Sequence, residues 1–422
     1  MKKLLLIIGL LAGMSAQAAF TDWFMDKTLR IDYYHSGDYS NEYYTIDQLR
    51  MEPFWGGSKT YLIDTTNYGS YYVKVYDRKS GTLIYSHGYC TLFDEWKFTS
   101  EARQTQRTFS ETVTMPFPKD EIIIDFYSRS KSGIYEKKFS YPVDPKNPYI
   151  TSERQQEYPV YEALNSGDPA VKVDIIIIPE GYTAGEMDRF KADCDKFTEE
   201  LFTFMPYTLN RDKFNIRGVL APSAESGTDI PADNVWKKTI VNSNFYTFES
   251  ERYLMTMDNH SVRNLAANAP YDQIYILVNS KKYGGGAIYN FYNVSVNSNA
   301  SSAKIFVHEF GHGFAALADE YDDGSTSFND MYPLGTEPWE PNITTLVNFG
   351  AKWQNMLNAS IQVPTPVEGA APLQPGVYEG AGYVAKGIYR PTPDCLMRTF
   401  KGKDFCPVCT KAIQDMIDRY TH

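Results

Sequence analysis

A chain of 422 residues is too long for one small core, and 43% hydrophobic against 22% charged residues, rich in tyrosine and phenylalanine, exclude a disordered polymer and predict two globular units. A formal charge of -11, with lysines and arginines scattered rather than gathered into a stripe, excludes a nucleic acid partner. Five cysteines (Cys90, Cys194, Cys395, Cys406, Cys409) are too few for a disulfide-built scaffold, and an odd number leaves at least one unpaired if the others pair within the chain.

The first stretch, "MKKLLLIIGLLAGMSAQAAF", has two lysines, an apolar run and then Ala16-Gln17-Ala18. That three-part pattern predicts a signal peptide over residues 1–19, cut after Ala18 or Ala19, and a secreted or periplasmic protein. Loss of Lys2 and Lys3 makes the mature chain two units more negative. No later run is long and apolar enough for a transmembrane segment in the mature chain.

Residues 20–145 read as strands and turns. "TYLIDTT", "YYVKVYD", "TLIYSHGY", "TVTMPF" and "EIIIDFYSR" are β-branched or aromatic runs separated by "RKSGT" and "FPKDE". Alternation in Tyr71–Asp77 suits a half-buried strand, so an antiparallel β-sandwich-like domain is expected. "YPVDPKNPY", with three prolines, marks a domain boundary before a second domain over 150–422.

In that second part "VKVDIIIIPEGYT" gives an unbroken apolar strand, Val173 to Ile178, of the kind covered on both faces. Thr183-Ala184-Gly185-Glu186 forms a capping box that launches a helix through "MDRFKADCDKFTEELF". A strand at "FNIRGVLAP", a mixed helical stretch over 245–265 and a strand at 273–278 complete an α/β pattern. The glycines of "YGGGAIYNFYNVSV" (284–286) permit a tight turn, or bring an exposed strand edge to a cleft where a peptide could add by main-chain hydrogen bonds.

"VHEFGHGFAALADEYDD" (307–323) carries the chemistry. On a helix over 302–317, His312 sits about 40° round and about 6 Å along from His308, with Glu309 in the same sector. Two imidazoles one turn apart can grip one zinc, while Glu309 reaches a water on the open side and acts as general base. Ile305, Phe306, Val307, Phe310, Phe314 and Leu317 surround the trio with apolar surface, where polar groups must satisfy one another or a metal. The plainer alternative is a hydrogen-bonded histidine pair with Glu309 in a salt bridge. Gly311 and Gly313 cost about 1–2 kcal/mol together in a helix and imply close packing under the site.

The third ligand has several candidates. Asp319 qualifies only if the helix ends around 315–317 and the chain doubles back, and Glu320 is subject to the same condition; Glu340 and Glu379 are more distant choices. The acidic run Asp319, Glu320, Asp322, Asp323 could instead hold a structural Ca2+. Near the end, Met397 in "DCLMR" could cushion the imidazoles or simply fill a core gap. Cys406-Pro-Val-Cys409 could be a redox pair or half a zinc knuckle, and a disulfide from Cys395 to Cys406 or Cys409 is the simpler reading. Arg398 could neutralise an oxyanion or a ligand carboxylate. No Gly-x-Ser-x-Gly elbow or phosphate-cradling loop competes with these groups.

His308-Glu-Phe-Gly-His312 through Tyr321, "EPWEPN", Glu379–Tyr383 and "GIYRPTPDCLMR...FCPVC" together resemble the M64, or immunoglobulin A peptidase, family of metallopeptidases, across roughly residues 160–420. The first 145 residues resemble the N-terminal domain of its gut-bacterial members. The resemblance implies an α/β zincin-like catalytic domain, a mixed sheet with backing helices and an HExxH active-site helix, behind the sandwich-like domain. It implies a secreted zinc endopeptidase with Zn2+ on His308 and His312 and Glu309 as base. A more distant likeness to metzincins breaks at Ala315 and Ala318, where those enzymes have a glycine and a ligand. The family's name implies a protein or peptide substrate such as immunoglobulin A. Competing functions are a non-catalytic binder of glycans or host proteins, and a zinc amidase acting on cell-wall or glycan-linked amides.

Overall fold

The computed structural model describes residues 20–154, 157–322, 331–402 and 404–421. The predicted signal peptide and Asp323–Gly324 of the acidic run lie outside the described residues.

Eight strands build the N-terminal part: β1 (Phe24–Gly37), β2 (Glu42–Glu52), β3 (Tyr71–Asp77), β4 (Leu83–Tyr89), β5 (Arg107–Pro118), β6 (Ile122–Arg129), β7 (Tyr135–Val143) and β8 (Ile150–Thr151). They form two four-stranded sheets, β5-β1-β2-β8 and β4-β3-β6-β7. All pairings are antiparallel except that of β8 with β2. "TYLIDTT" is not a strand, although Ile63 makes an isolated bridge to Ser86. The Asp64 carboxylate accepts from the backbone N–H groups of Thr66 and Gly88, and this side-chain bonding curls the segment where a strand would need its backbone free. The proline-rich stretch is not a clean break either, because β8 beyond it returns to pair with Leu49 and Arg50.

The second part contains β9 (Val160–Leu164), β10 (Val173–Glu180), β11 (Phe214–Val219), β12 (Gln273–Val278), β13 (Gly285–Ile288) and β14 (Tyr292–Val296) in one sheet of order β13-β14-β12-β10-β11-β9. The inner four run parallel, and β9 and β13 are antiparallel edges. Every residue of β10 is buried, as its unbroken apolar run predicts. The hairpin β15 (Tyr378–Ala381) and β16 (Val384–Arg390) stands apart.

Two short helices, α1 (Phe20–Trp23) and α2 (Leu92–Trp96), belong to the N-terminal part; α3 (Met187–Leu201), α4 (Asn259–Ala266), α5 (Ser302–Ala315) and α6 (Pro407–Thr421) back the mixed sheet. The Thr183–Glu186 capping box forms ahead of α3 as expected. The stretch 245–265 is α-helical only from Asn259, where the Asp258 side chain accepts from the N–H of Ser261, with a single distorted 3-10 turn at Thr247–Glu249 before it. Upstream, Tyr246, Phe248 and Glu249 take positive φ, which a helix cannot contain. Helix α5 lies against β13 and β14. Tyr275 of β12 stacks on Phe306 at 4.0 Å and donates its hydroxyl proton to the Phe306 carbonyl, fixing the helix to the sheet.

The two parts share one apolar core. Arg30 donates to Asn264, Asn259 to Thr112, and the N–H of Cys90 to the carbonyl of Tyr289. Deleting the residues before 157 would expose that shared core, so a chain beginning there is expected to express as aggregate, to be checked by solubility and gel filtration beside the full chain.

Candidate active site

Helix α5 ends at Ala315. Ala316 takes the left-handed conformation (φ 58°) and the N–H of Leu317 bonds back to the carbonyl of Gly311. The predicted helix to 317 is therefore about half a turn too long. This reversal returns the chain along the helix, and residues 317–320 pass beside the histidines.

His308 Nε2 and His312 Nε2 lie 3.1 Å apart, and Asp319 Oδ1 is 3.3 Å from each. That oxygen is buried and accepts no hydrogen bond from the described residues. The second Asp319 oxygen accepts from the hydroxyls of Tyr321 and Tyr383, each at 2.7 Å. His308 Nδ1 donates to the carbonyl of Leu396 (3.0 Å) and His312 Nδ1 to that of Leu317 (2.5 Å). With both Nδ1 protons committed to carbonyls, each imidazole in its neutral form turns its Nε2 lone pair to the same point. Ligands at about 2.0–2.1 Å around a tetrahedral centre are separated by about 3.3–3.4 Å, so this donor set fits zinc.

The electrostatics follow from the crowding. Burial opposes a charged imidazole, but the Asp319 carboxylate outweighs it and pushes His312 up to about 9. Asp319 is itself buried, yet the two histidines hold it well below the usual carboxylate range. Burial raises Glu309, and His308 and His312 oppose that rise.

The chain brings Glu320 elsewhere. Adjacent residues of an extended segment point to opposite sides, so with Asp319 turned to the histidines Glu320 faces Cys395, Cys406 and Cys409. Glu340 accepts from the hydroxyl of Tyr332, and Glu379 pairs with Lys386, so neither joins the histidines. A calcium cage does not form from the described carboxylates of the acidic run, because Asp319, Glu320 and Asp322 diverge and Asp322 faces Arg398 at 3.4 Å. All five cysteines are free, and the Cys395 and Cys409 sulfurs are 3.8 Å apart, where the expected disulfide requires about 2.05 Å.

The glycines are explained by contact. A Cβ on Gly313 would lie 2.0 Å from Asn293 Oδ1, one on Gly311 3.1 Å from Met397 Sδ, and one on Gly285 2.7 Å from Glu309 Oε1. Met397 is buried directly beneath the histidine helix, and its carbonyl accepts from the N–H of Glu320. The trio opens into a cleft of about 300 Å3 lined by residues from both parts of the chain, Glu95, Arg252, Gly285, Tyr321 and Trp339 among them. Glu95, raised to about 8 by burial, accepts from the Tyr253 hydroxyl. Sequence reasoning missed Glu95, Arg252, Tyr321 and Tyr383 as parts of this region. Tyr383 had a signal in its "EGAGY" context: the hairpin turn there docks on the Asp319 segment through Gly382 N–H to the Asp319 carbonyl and Tyr383 N–H to that of Tyr321.

A β-sheet domain is thus joined to a helix-backed mixed sheet, with histidines and carboxylates gathered at one cleft. Residues 161–371 and 367–417 match the family described as IgA Peptidase M64, and residues 19–140 match that described as Peptidase M64 N-terminus. The chain belongs to the IgA peptidase M64 family, which carries a peptidase function in general. No curated protein matches it. Among the described residues no helix is long and apolar enough to cross a membrane.

Proposed function

We propose that the chain is an exported, zinc-dependent endopeptidase of zincin-like fold in which His308, His312 and Asp319 hold the metal and Glu309 is the general base. The observation that carries this reading is the convergence of three donor atoms at 3.1–3.3 Å, one of them a buried carboxylate oxygen with no other partner. Bound there, zinc supplies Lewis acidity for a water and for the scissile carbonyl.

The remaining work falls to the protein. Glu309 takes a proton from the attacking water and returns it to the leaving amine, and a carboxyl raised by burial suits both halves of that exchange. Tyr321 and Tyr383 hold Asp319 in place through its outer oxygen. Arg252, which donates to the Tyr321 hydroxyl, puts a positive charge on the cleft wall that a developing oxyanion would meet. The edge of β13 is not open at Gly285, whose N–H donates to the Arg252 carbonyl and whose carbonyl accepts from the N–H of Leu254, so a substrate peptide lies in the cleft beside the strand, past Glu309.

The test is metal content measured together with cleavage of a mixed peptide library, with immunoglobulin A as one protein substrate. Chelation should abolish cleavage and zinc restore it. Zinc without peptide cleavage, but with release from amide-linked glycans, would replace this reading with an amidase; no zinc and no cleavage would leave a binding protein.

Two further outcomes are expected. Gly285→Ala should displace the Glu309 carboxyl and lower kcat by up to about 100-fold with zinc retained, since misplacement by about 1 Å costs that much; peptide kinetics beside zinc analysis check it. The pH response should reverse with metal. The ordinary histidine value is 6.5 and that of His312 about 9, so in metal-free protein the stabilisation is complete below 6.5 and lost as pH rises through 9. Zinc needs the neutral imidazole, so the rise in Tm on adding zinc should grow across the same interval, as thermal melts at stepped pH would record.

A further inference from the structure

We propose that Cys395, Cys406, Cys409 and Glu320 form a second, structural zinc site, which clamps the Asp319 segment to the turn at Met397 and to the start of α6. One ligand atom from each lies within 4.8 Å of all the others, and the four residues are at most 2% exposed. The sulfurs of Cys395 and Cys409 are 3.8 Å apart, the edge expected of two thiolates at about 2.3 Å from a tetrahedral zinc. The sulfur of Cys409 is 3.2 Å from Glu320 Oε1, slightly inside the edge of about 3.5 Å that mixed sulfur and oxygen ligands would give.

Backbone donors reach two of the three sulfurs. The N–H of Cys406 points at the sulfur of Cys395 (3.2 Å) and the N–H of Cys409 at that of Cys406 (3.4 Å). Cys406-Pro-Val-Cys409 has the two-residue spacing of a zinc knuckle at the mouth of a helix. Glu320 supplies a fourth donor that no count of cysteines reveals. Its Oε1 also accepts from Asn342 (3.0 Å), while Oε2 is buried with no hydrogen-bond partner among the described residues. A disulfide would use two of the three sulfurs and leave a thiol and a carboxylate buried together. Three soft sulfurs and one oxygen select zinc over calcium or magnesium.

The placement gives the site its role. Glu320 follows Asp319 directly, and its N–H bonds to the Met397 carbonyl (2.9 Å). Cys395 precedes Leu396, whose carbonyl orients His308. One cation here would tie both supports of the histidine cluster to α6.

The experiment measures zinc per chain, with X-ray absorption at the zinc edge, in the wild type and in the double variant His308→Ala, His312→Ala, both exported from cells supplied with zinc. Two zinc ions in the wild type, and one in the double variant with sulfur neighbours at about 2.3 Å, is the expected result. One zinc with sulfur neighbours in both proteins would support this site while removing the peptidase metal. The idea is overturned if zinc shows only nitrogen and oxygen neighbours, if none binds, or if unreduced peptide mapping finds Cys395 joined to Cys406 or Cys409. Cys406→Ser should lose the sulfur-ligated ion; the wild-type spectrum decides the matter even if that variant does not fold.

Discussion

Glu309→Gln is expected to cut peptide hydrolysis by at least ~100-fold while zinc content stays at the wild-type level. Glutamine keeps the size of the side chain and its fit against Gly285, where there is room for no Cβ. What it loses is the capacity to accept a proton at the start of the reaction and release it at the end. The donors proposed for zinc are the two Nε2 atoms and Asp319 Oδ1, none of which this change touches. Activity and metal content should therefore separate, and the pair of measurements is the check. Equal hydrolysis by both proteins would eliminate Glu309 as the base; loss of zinc in the variant would make it a ligand instead.

Asp319→Ala should instead lose metal and activity together. Removing an outer partner of a zinc ligand typically lowers affinity by about 10–100-fold, and removing the ligand itself should exceed that. The substitution also strips the acceptor from the hydroxyls of Tyr321 and Tyr383, leaving two partly buried phenols to find other partners. Competition with a chelator of known affinity measures the loss. Tyr383→Phe, which leaves Asp319 in place, makes the graded comparison. Retention of tight zinc binding by the alanine variant would remove Asp319 from the ligand set and reopen the search for a third donor.

Much of this site was legible because its parts are local. His308, Glu309 and His312 are bound by the geometry of a single helical turn, which sequence spacing states directly. The buried strand β10 and the capping box at Thr183 were likewise short-range patterns, and both formed. The reading was weaker where one residue decided a direction. Nothing in "GFAALADEYDD" says that an alanine will adopt positive φ and end the helix, although Asp319 can face the histidines only because Ala316 does so. The strand pattern of "TYLIDTT" was overridden by one aspartate bonding to its neighbours' backbone.

The sequence by itself determined the kinds of chemistry available: two imidazoles and a carboxylate on one helix, with an acidic run and a trio of cysteines beyond it. Only the tertiary structure decided how those groups were shared out, sending Asp319 to the histidines, Glu320 to the sulfurs and Asp322 to Arg398. It also decided that Glu95 from the N-terminal sheets would help wall the cleft. The reason is that spacing along a helix or strand fixes relations within a few residues, whereas partners many positions apart are chosen by packing. Residues 319 and 320 have nearly the same neighbours in sequence, and the pleat of an extended chain sent them to opposite sides.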